Sequence, residues 1–159
     1  MIQIRWKPLL ICLLIPTVLV GGLSALLTMG SMQVYQDLVK PPLSPPGWLF
    51  PVVWTILFLL MGVASYLIYV SDAAPQEKYR ALFLYGVQLI LNFTWSIVFF
   101  RLQQYWLSVA VLAVLLVFIL LCIWVFSKIS RAAAWLLVPY ALWVAFAGYL
   151  DLFIALNNR

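Results

Sequence analysis

The sequence predicts an all-α fold, an integral membrane bundle of five transmembrane helices in a single domain covering residues 1–159. The first observation behind this prediction is composition: 67% of the residues are hydrophobic, 8% are charged, and the mean hydropathy is +1.14. Soluble domains carry about 25% charged residues, so a water-soluble globule could not hide this much apolar surface. The second observation is length, because at about 20 residues per span the chain has room for five spans and short loops.

The five predicted spans are joined by short polar connections. The first span begins at Pro8, a residue suited to a first helical turn, and is expected to bend at Pro16. Its full length and the lack of a small-residue cleavage site argue against a cleaved signal peptide. The predicted spans cover residues 8–29, 49–70, 79–100, 105–126 and 132–156.

The segment that follows the first span and runs into the second, residues 35–54, has a different character. It holds the charged residues Asp37 and Lys40 and five of the nine prolines, namely Pro41, Pro42, Pro45, Pro46 and Pro51. Proline fixes φ and removes backbone donors, so the segment before the second span is expected to be extended and polyproline-like rather than helical. A stiff loop of this length is typically functional, and we expect it to cover a pocket between the helices.

Two further patterns concern packing. Thr17, Gly21 and Ala25 form a small-residue stripe at four-residue spacing, which suits either intramolecular packing or a dimer seam. The fourth span is almost wholly apolar, with Ser108 as its clearly polar side chain, and is expected to be structural. Its Trp106 and Trp124 are separated by about 27 Å along a helix, which suits the two headgroup levels of a bilayer.

Composition also excludes several classes of function. The chain has no histidine, and its two cysteines, Cys12 and Cys122, lie in apolar segments. Metal clusters, disulfide frameworks and histidine-dependent nucleophilic catalysis are therefore disfavoured. The net charge of +5 is scattered over loops, so no nucleic-acid partner is expected. Five spans without a visible repeat argue against an ion-coupled carrier.

Basic residues are distributed unequally between the two ends of the predicted bundle. One end carries Arg5, Lys7, Lys78, Arg80, Lys128 and Arg131, and the other carries Lys40, Arg101 and Arg159. Cytoplasmic loops are enriched in Lys and Arg, so this six-to-three bias predicts a cytoplasmic N-terminus and an external proline-rich loop.

The third span carries a polar and aromatic stripe formed by Gln88, Asn92, Trp95, Ser96 and Phe99. These residues share one helical face, and polar groups inside a span must point into the bundle. Two interpretations remain open, a ligand site and hydrogen bonding between helices.

The second and fifth spans show comparable stripes. They comprise Trp54, Phe58, Met61, Ser65 and Tyr69, and Trp135, Pro139, Trp143, Phe146, Ala147 and Leu150. Converging aromatic rings with a few polar groups suit a flat, apolar, polar-edged ligand. Asp151 follows the second of these stripes, where it either is solvated at the interface or faces the mouth of the pocket.

Four motifs together resemble the TspO/MBR family of tryptophan-rich sensory proteins, translocator proteins and peripheral benzodiazepine receptors. They read YxxLxKP at residues 35–41, PPGxxFPxxWT at 45–55, QLxLNxxWSxxFF at 88–100 and WxxxPYxxWxxFA at 135–147. The resemblance covers essentially the whole chain. It implies a five-helix homodimer in a bacterial cell membrane, with a pocket at the end of the bundle that carries the proline-rich loop.

The resemblance also implies a function. Family members bind protoporphyrin IX or haem and benzodiazepine or isoquinoline ligands, require no cofactor and have a stress-regulatory role. Light-dependent porphyrin degradation and porphyrin transport are alternatives, and no catalytic or metal-binding residue is assigned. Without histidine, haem would lack an imidazole ligand, which favours protoporphyrin IX.

The ligand-binding residues implied by matching motifs are Tyr35, Pro45, Trp54, Phe58, Gln88, Asn92, Trp95, Ser96, Phe99, Trp143 and Ala147. Trp54 and Trp143 would flank the ring, while Gln88 and Asn92 would offer hydrogen bonds. The sequence departs from the family pattern at Leu150-Asp151, where relatives commonly have Leu-Asn. The sterol-recognition pattern is also absent, because the first basic residue after Tyr149 is Arg159.

Overall fold

The structure is a computed structural model that describes residues 3–27 and 30–158, with only the backbone described at Met32 and Val34. The described residues form helices and no strands. The helices are α1 (Trp6–Leu27), α2 (Met32–Asp37), α3 (Leu49–Tyr69), α4 (Pro75–Arg101), α5 (Tyr105–Ile129) and α6 (Arg131–Asn157). All except the short α2 are long and apolar enough to cross a membrane, which confirms the predicted fold class.

The five long helices form a closed bundle. Helix α1 packs against α3, α3 against α6, α6 against α5, and α5 against α4. Helix α4 completes the ring through contacts with both α3 and α1. The interior is filled by apolar side chains from α3 to α6, whereas α1 buries only Pro16 and Val20 among its described residues. Helix α1 is therefore the most peripheral part of the bundle.

Two segments of the bundle are π-helical. In α1 the chain widens to a π-helix over Ile15–Gly22, which begins next to Pro16, and α4 ends in a π-helical segment over Ile97–Arg101. A proline cannot donate a backbone hydrogen bond, so Pro16 favours a local change in helical geometry. Arg101, the last residue of the second segment, connects α4 to the end of α1, because its guanidinium donates to the carbonyl oxygen of Leu27 at 2.9 Å.

The helix ends differ from the predicted ones by a few residues. Helix α1 begins at Trp6 rather than residue 8, and the predicted end at Met29 lies outside the described residues. Helix α4 begins at Pro75 instead of residue 79, because a proline is well tolerated in a first turn and Glu77 there favours the helix N-terminus. Helix α5 continues three residues past the predicted end, to Ile129.

The expectation of an extended backbone is wrong at the start of the segment at residues 35–54. Tyr35 and Asp37 belong to α2, which is possible because the first proline of the segment is Pro41. At the other end α3 begins at Leu49, the first residue of the predicted second span, and Pro51 lies in its first turn, where its missing N–H is not needed. Residues 38–48 between the two helices contain no helix or strand.

Two glycines, Gly21 of the small-residue stripe and Gly62 of α3, lie where α1 and α3 approach each other. A Cβ atom on Gly21 would come within 3.0 Å of the Phe58 ring, and one on Gly62 would come within 2.7 Å of the Cys12 carbonyl oxygen. Glycine at these two positions allows α1 and α3 to approach closely. The contact of Gly21 corresponds to the intramolecular alternative for the stripe, and the dimer seam stays a prediction.

Candidate ligand-binding site

A cavity of about 490 Å³ lies between α1, α3 and α4, at the end of the bundle where α2 and the proline-rich loop are located. Its volume is within the range of roughly 300–1,000 Å³ found for small-molecule sites. It is lined by Thr17, Gly21, Gly22, Ser24, Ala25, Gly30, Phe50, Pro51, Trp54, Thr55, Phe58, Asn92, Trp95, Ser96 and Phe100.

Aromatic rings form the α3 and α4 walls of the cavity. Trp54 stacks on Phe58 with ring centroids 5.5 Å apart and lies 6.0 Å from Trp95. Asn92 and Ser96 add an amide and a hydroxyl on the same face of α4. A surface of this composition can enclose a flat apolar molecule and form hydrogen bonds with its edge.

The α1 wall consists of small residues, and most of them come from the π-helical segment. Thr17, Gly21 and Gly22 lie in that segment and contact the cavity. A Cβ atom on Gly22 would meet nothing within 4 Å among the described atoms. On the opposite wall Phe100 belongs to the second π-helical segment. Such segments occur frequently at functional sites, and here both border the same cavity.

Beneath the cavity, a buried network of hydrogen bonds joins α4 to α6 and α3. The Asn92 amide donates to the Tyr140 hydroxyl at 2.9 Å, and Tyr140 donates to Gln88 Oε1 at 2.6 Å. The Gln88 amide in turn lies 3.7 Å from the Met61 sulfur, which accepts its hydrogen bond. Asn92 therefore both lines the cavity and joins helices, whereas Gln88 lies in the helix interface. Tyr140 is not among the site residues predicted from the sequence.

A second buried network surrounds Asp151. The Trp95 indole Nε1 donates to Asp151 Oδ2 at 3.1 Å, and Ser108 Oγ lies 2.7 Å from Asp151 Oδ1. Asp151 is only 1% exposed, which excludes a solvated interface, and it is not among the residues that line the cavity, which excludes the pocket mouth. Ser108 gives α5 a polar contact with the site, beyond the structural role expected for it. Ser108 and Asp151 are isolated polar residues in otherwise apolar helices, and this shared feature could have indicated from the sequence that they contact each other.

Tyr35, Pro45 and Trp143 form a separate layer behind Phe50. The Tyr35 hydroxyl donates to the Pro45 carbonyl at 3.4 Å, and the Tyr35 ring lies edge-on to Phe50 at 5.1 Å. Phe50 also contacts Trp143 at 5.9 Å. Burial raises the pKa of the Tyr35 hydroxyl. Within the described part of the chain, the buried Trp143 Nε1 has no hydrogen-bond partner.

The predicted site residues thus separate into two groups. Trp54, Phe58, Asn92, Trp95 and Ser96 line the cavity directly. The others are not among the described residues that line it, and they are Tyr35, Pro45, Gln88, Phe99, Trp143 and Ala147. Trp54 and Trp143 were expected to lie on two sides of one space. In the structure Phe50 stands between Trp143 and the cavity, so Trp143 does not line it. In the structure the second tryptophan of the cavity is Trp95.

Comparison with known proteins identifies relatives of this chain. The sequence model of the TspO/MBR family matches residues 12–156. A tryptophan-rich protein TspO of Chlorobaculum tepidum is 42% identical over 124 residues, which are 78% of each chain. One of Archaeoglobus fulgidus is 33% identical over 94% of this chain and 96% of its own. A translocator protein of Bos taurus is 34% identical over 92% of this chain and 87% of its own.

The bundle and its aromatic cavity define a multi-pass integral membrane protein with an internal cavity of the size of a small-molecule site. The chain belongs to the TspO/MBR family. Membership of a family whose proteins are named tryptophan-rich sensory protein and translocator protein supports a role as a membrane sensor or receptor.

Proposed function

We propose that the protein is a membrane receptor that binds a flat tetrapyrrole, protoporphyrin IX, in the cavity between α1, α3 and α4, and that ligand occupancy has a stress-regulatory role. The observation that carries this proposal is the Trp54–Trp95 pair, with ring centroids 6.0 Å apart on two walls of one cavity. Indole and phenyl rings offer a large flat apolar surface to a macrocycle. Benzodiazepine and isoquinoline ligands share that aromatic character and would compete for the same walls.

The polar atoms of the site suit the free-base porphyrin better than haem. The chain contains no histidine, and the described residues include no group of three or more potential His, Cys, Asp or Glu metal ligands. Asn92 and Ser96 can form hydrogen bonds with the ligand edge. Protoporphyrin IX needs no axial ligand, so these residues are sufficient for its recognition.

Titration of protoporphyrin IX into the purified protein, followed by quenching of tryptophan fluorescence, tests the proposal. The variant with Trp54→Phe and Trp95→Phe removes both cavity indoles while retaining aromatic rings. A control variant with Trp106→Phe and Trp135→Phe removes two indoles that are 51% and 71% exposed. We expect weaker binding, by roughly ten-fold, in the first variant only, from the loss of two aromatic contacts. Equal affinities in both variants would refute this cavity as the site.

A light-dependent chemical reaction is the second candidate function. It is favoured by the same pair of indoles, which would lie beside a bound chromophore. Illumination of the protoporphyrin complex should then give a discrete absorbing product that is lost in the Trp54→Phe, Trp95→Phe variant. Bleaching at the rate of free porphyrin would instead support a binding protein. Transport, the third alternative, requires accumulation of porphyrin inside vesicles containing the protein.

We further propose that the N-terminus lies in the cytoplasm of a bacterial cell and that the cavity lies at the external end of the bundle. The bias in Lys and Arg supports this orientation. Leu43 in the proline-rich loop is 72% exposed, so Leu43→Cys offers a labelling site. Labelling by a membrane-impermeant thiol reagent in intact cells is expected, and protection would reverse the orientation.

Homodimer formation is proposed as well. Helix α1 exposes a row of large apolar side chains, including Leu14, Val18 and Leu26, which either contact lipid or a second copy. Cross-linking of Val18→Cys in membranes tests the second arrangement. Monomers alone under oxidising conditions would contradict a dimer formed through this face.

A further inference from the structure

Asp151 is a buried acid inside a membrane span, and its contacts come from two other helices. The Trp95 indole of α4 approaches one carboxyl oxygen, and the Ser108 hydroxyl of α5 approaches the other. Among the described residues no basic side chain pairs with Asp151, and both contacting groups are neutral. An unpaired charge at this depth is costly, so burial favours the protonated, uncharged form of the carboxyl group.

The number of hydrogen atoms available at Ser108 indicates the protonation state of Asp151. Ser108 Oγ lies 2.7 Å from the carbonyl oxygen of Tyr105 and also 2.7 Å from Asp151 Oδ1. Both distances are typical of ordinary two-centre O–H···O bonds. A serine hydroxyl has one hydrogen, and neither a carbonyl oxygen nor an ionised carboxylate can donate one. With an ionised Asp151, one of the two short O···O contacts would contain no hydrogen.

A protonated Asp151 satisfies every group. Its Oδ1–H donates to Ser108 Oγ, Ser108 donates to the Tyr105 carbonyl, and Oδ2 accepts from Trp95 Nε1. Three donors then meet three acceptors and no charge is buried.

We propose that Asp151 is an uncharged carboxylic acid in the folded protein and acts as a positioning residue that holds the Trp95 indole against the cavity. The link to the cavity is direct, because Trp95 forms part of its wall and lies 6.0 Å from Trp54. Trp95 is buried, so without an acceptor its N–H would be left unsatisfied and the ring would reorient. The effect on ligand binding rests on the proposed function, whereas the protonation state does not.

Infrared spectroscopy of the ligand-free protein tests the protonation state. The wild-type protein should show a C=O stretching band of a protonated carboxyl group at neutral pH, which shifts in D₂O. The band should disappear in Asp151→Asn and persist in Asp72→Asn, whose acid is exposed in the loop between α3 and α4. In Ser108→Ala it should remain but move to higher frequency, because the acid O–H loses its acceptor. Absence of the band from the wild-type protein, or its survival in Asp151→Asn, would overturn the proposal.

The hydrogen bonding of the Trp95 indole N–H tests the positioning role of Asp151. Asn can accept from Trp95 and donate to Ser108, as the neutral acid does, whereas Leu can do neither. Ultraviolet resonance Raman spectra contain a band that reports hydrogen bonding of the indole N–H, and the Trp95 contribution is identified by its loss in Trp95→Phe. This contribution should survive in Asp151→Asn and be lost in Asp151→Leu. Protoporphyrin affinity should stay within about two-fold in Asp151→Asn and fall roughly ten-fold in Asp151→Leu.

The outcomes separate the two proposals. A Trp95 contribution that is unchanged in Asp151→Leu overturns the positioning role, whatever the ligand data. If the wild-type protein binds no protoporphyrin, the proposed function fails, and the Raman and infrared results still decide the role of Asp151. Should Asp151→Leu not fold, Ser108→Ala supplies the second test, because its infrared band must be present and shifted.

Discussion

The side-chain amide of Asn158 pairs with the backbone of Val39 in both directions. Asn158 Oδ1 accepts from the Val39 N–H at 3.0 Å, and Asn158 Nδ2 donates to the Val39 carbonyl oxygen at 3.1 Å. The pairing resembles that of two neighbouring strands, although one partner is a side chain. It attaches the segment after α2 to the end of α6. At the same end of the loop, the Lys40 ammonium group donates to the carbonyl oxygens of Tyr35 and Gln36 at 3.0 and 3.1 Å.

Replacing Asn158 should therefore loosen the proline-rich loop. In Asn158→Ala the Val39 amide loses its acceptor, and we expect its hydrogen exchange to accelerate by roughly ten-fold, consistent with the loss of about one hydrogen bond. Asn157→Ala is the matched control, because the Asn157 side chain donates only to the Phe153 carbonyl of its own helix. Equal exchange in the two variants, measured by mass spectrometry, would show that the loop is held by other contacts.

Gly62 should not tolerate a side chain. A Cβ atom there would lie 2.7 Å from the Cys12 carbonyl oxygen and 2.9 Å from the Leu13 Cα atom, both of which are backbone. Gly62→Ala should lower the unfolding free energy by about 1–3 kcal/mol through overpacking. Gly86→Ala serves as the control in thermal unfolding in detergent, because nothing lies within 4 Å of its Cβ position. A Gly62→Ala variant as stable as Gly86→Ala would contradict the close contact of α1 and α3.

Gly22 provides a way to close the cavity without disturbing the core. Its missing Cβ points into open space beside the cavity, so Gly22→Leu should fill part of that volume. We expect the thermal unfolding temperature to stay close to wild type and the affinity for protoporphyrin IX to fall by at least ten-fold. Leu26→Ala on the exposed side of α1 is the control for substitution in this helix. Unaltered affinity in Gly22→Leu would place the ligand elsewhere.

Tyr140 is expected to stabilise the bundle through its hydroxyl. Tyr140→Phe leaves the Asn92 amide and Gln88 Oε1 without their shared partner in the interior. An unsatisfied buried group costs about 1–3 kcal/mol, so the unfolding free energy should fall by at least that amount. Tyr149→Phe, at an exposed tyrosine on the same helix, should have little effect. Similar stabilities for the two variants would contradict the role of the hydroxyl.

The fold could be predicted because its main determinant is local. Each span is a continuous apolar stretch about as long as a bilayer is thick, and this property does not depend on neighbouring helices. The aromatic and amide residues of α3 and α4 that line the cavity, Trp54 and Asn92 among them, followed from helical periodicity. The π-helical segments could not be foreseen, since neither Pro16 nor the residues before Arg101 distinguish a wide turn from a kink or a regular one.

The partners of the polar residues depended on the packing of distant helices. Asp151 contacts Trp95, 56 positions earlier in the chain, and Ser108, 43 positions earlier. Periodicity assigns each residue to a face of its helix, but it does not determine which helix that face meets or at what depth. Trp143 illustrates the same limit, because its face was identified while the intervening Phe50 was not.

The peripheral position of α1 affects how ligand affinity has to be expressed. This helix forms one wall of the cavity, and only 11% of its most apolar 18-residue stretch is buried within the bundle. In a bilayer the outer side of that wall is hydrocarbon, in which an apolar macrocycle accumulates before it meets the protein. The concentration that governs occupancy is then moles of ligand per mole of lipid, and a dissociation constant referred to the aqueous volume will change with the amount of membrane in the sample.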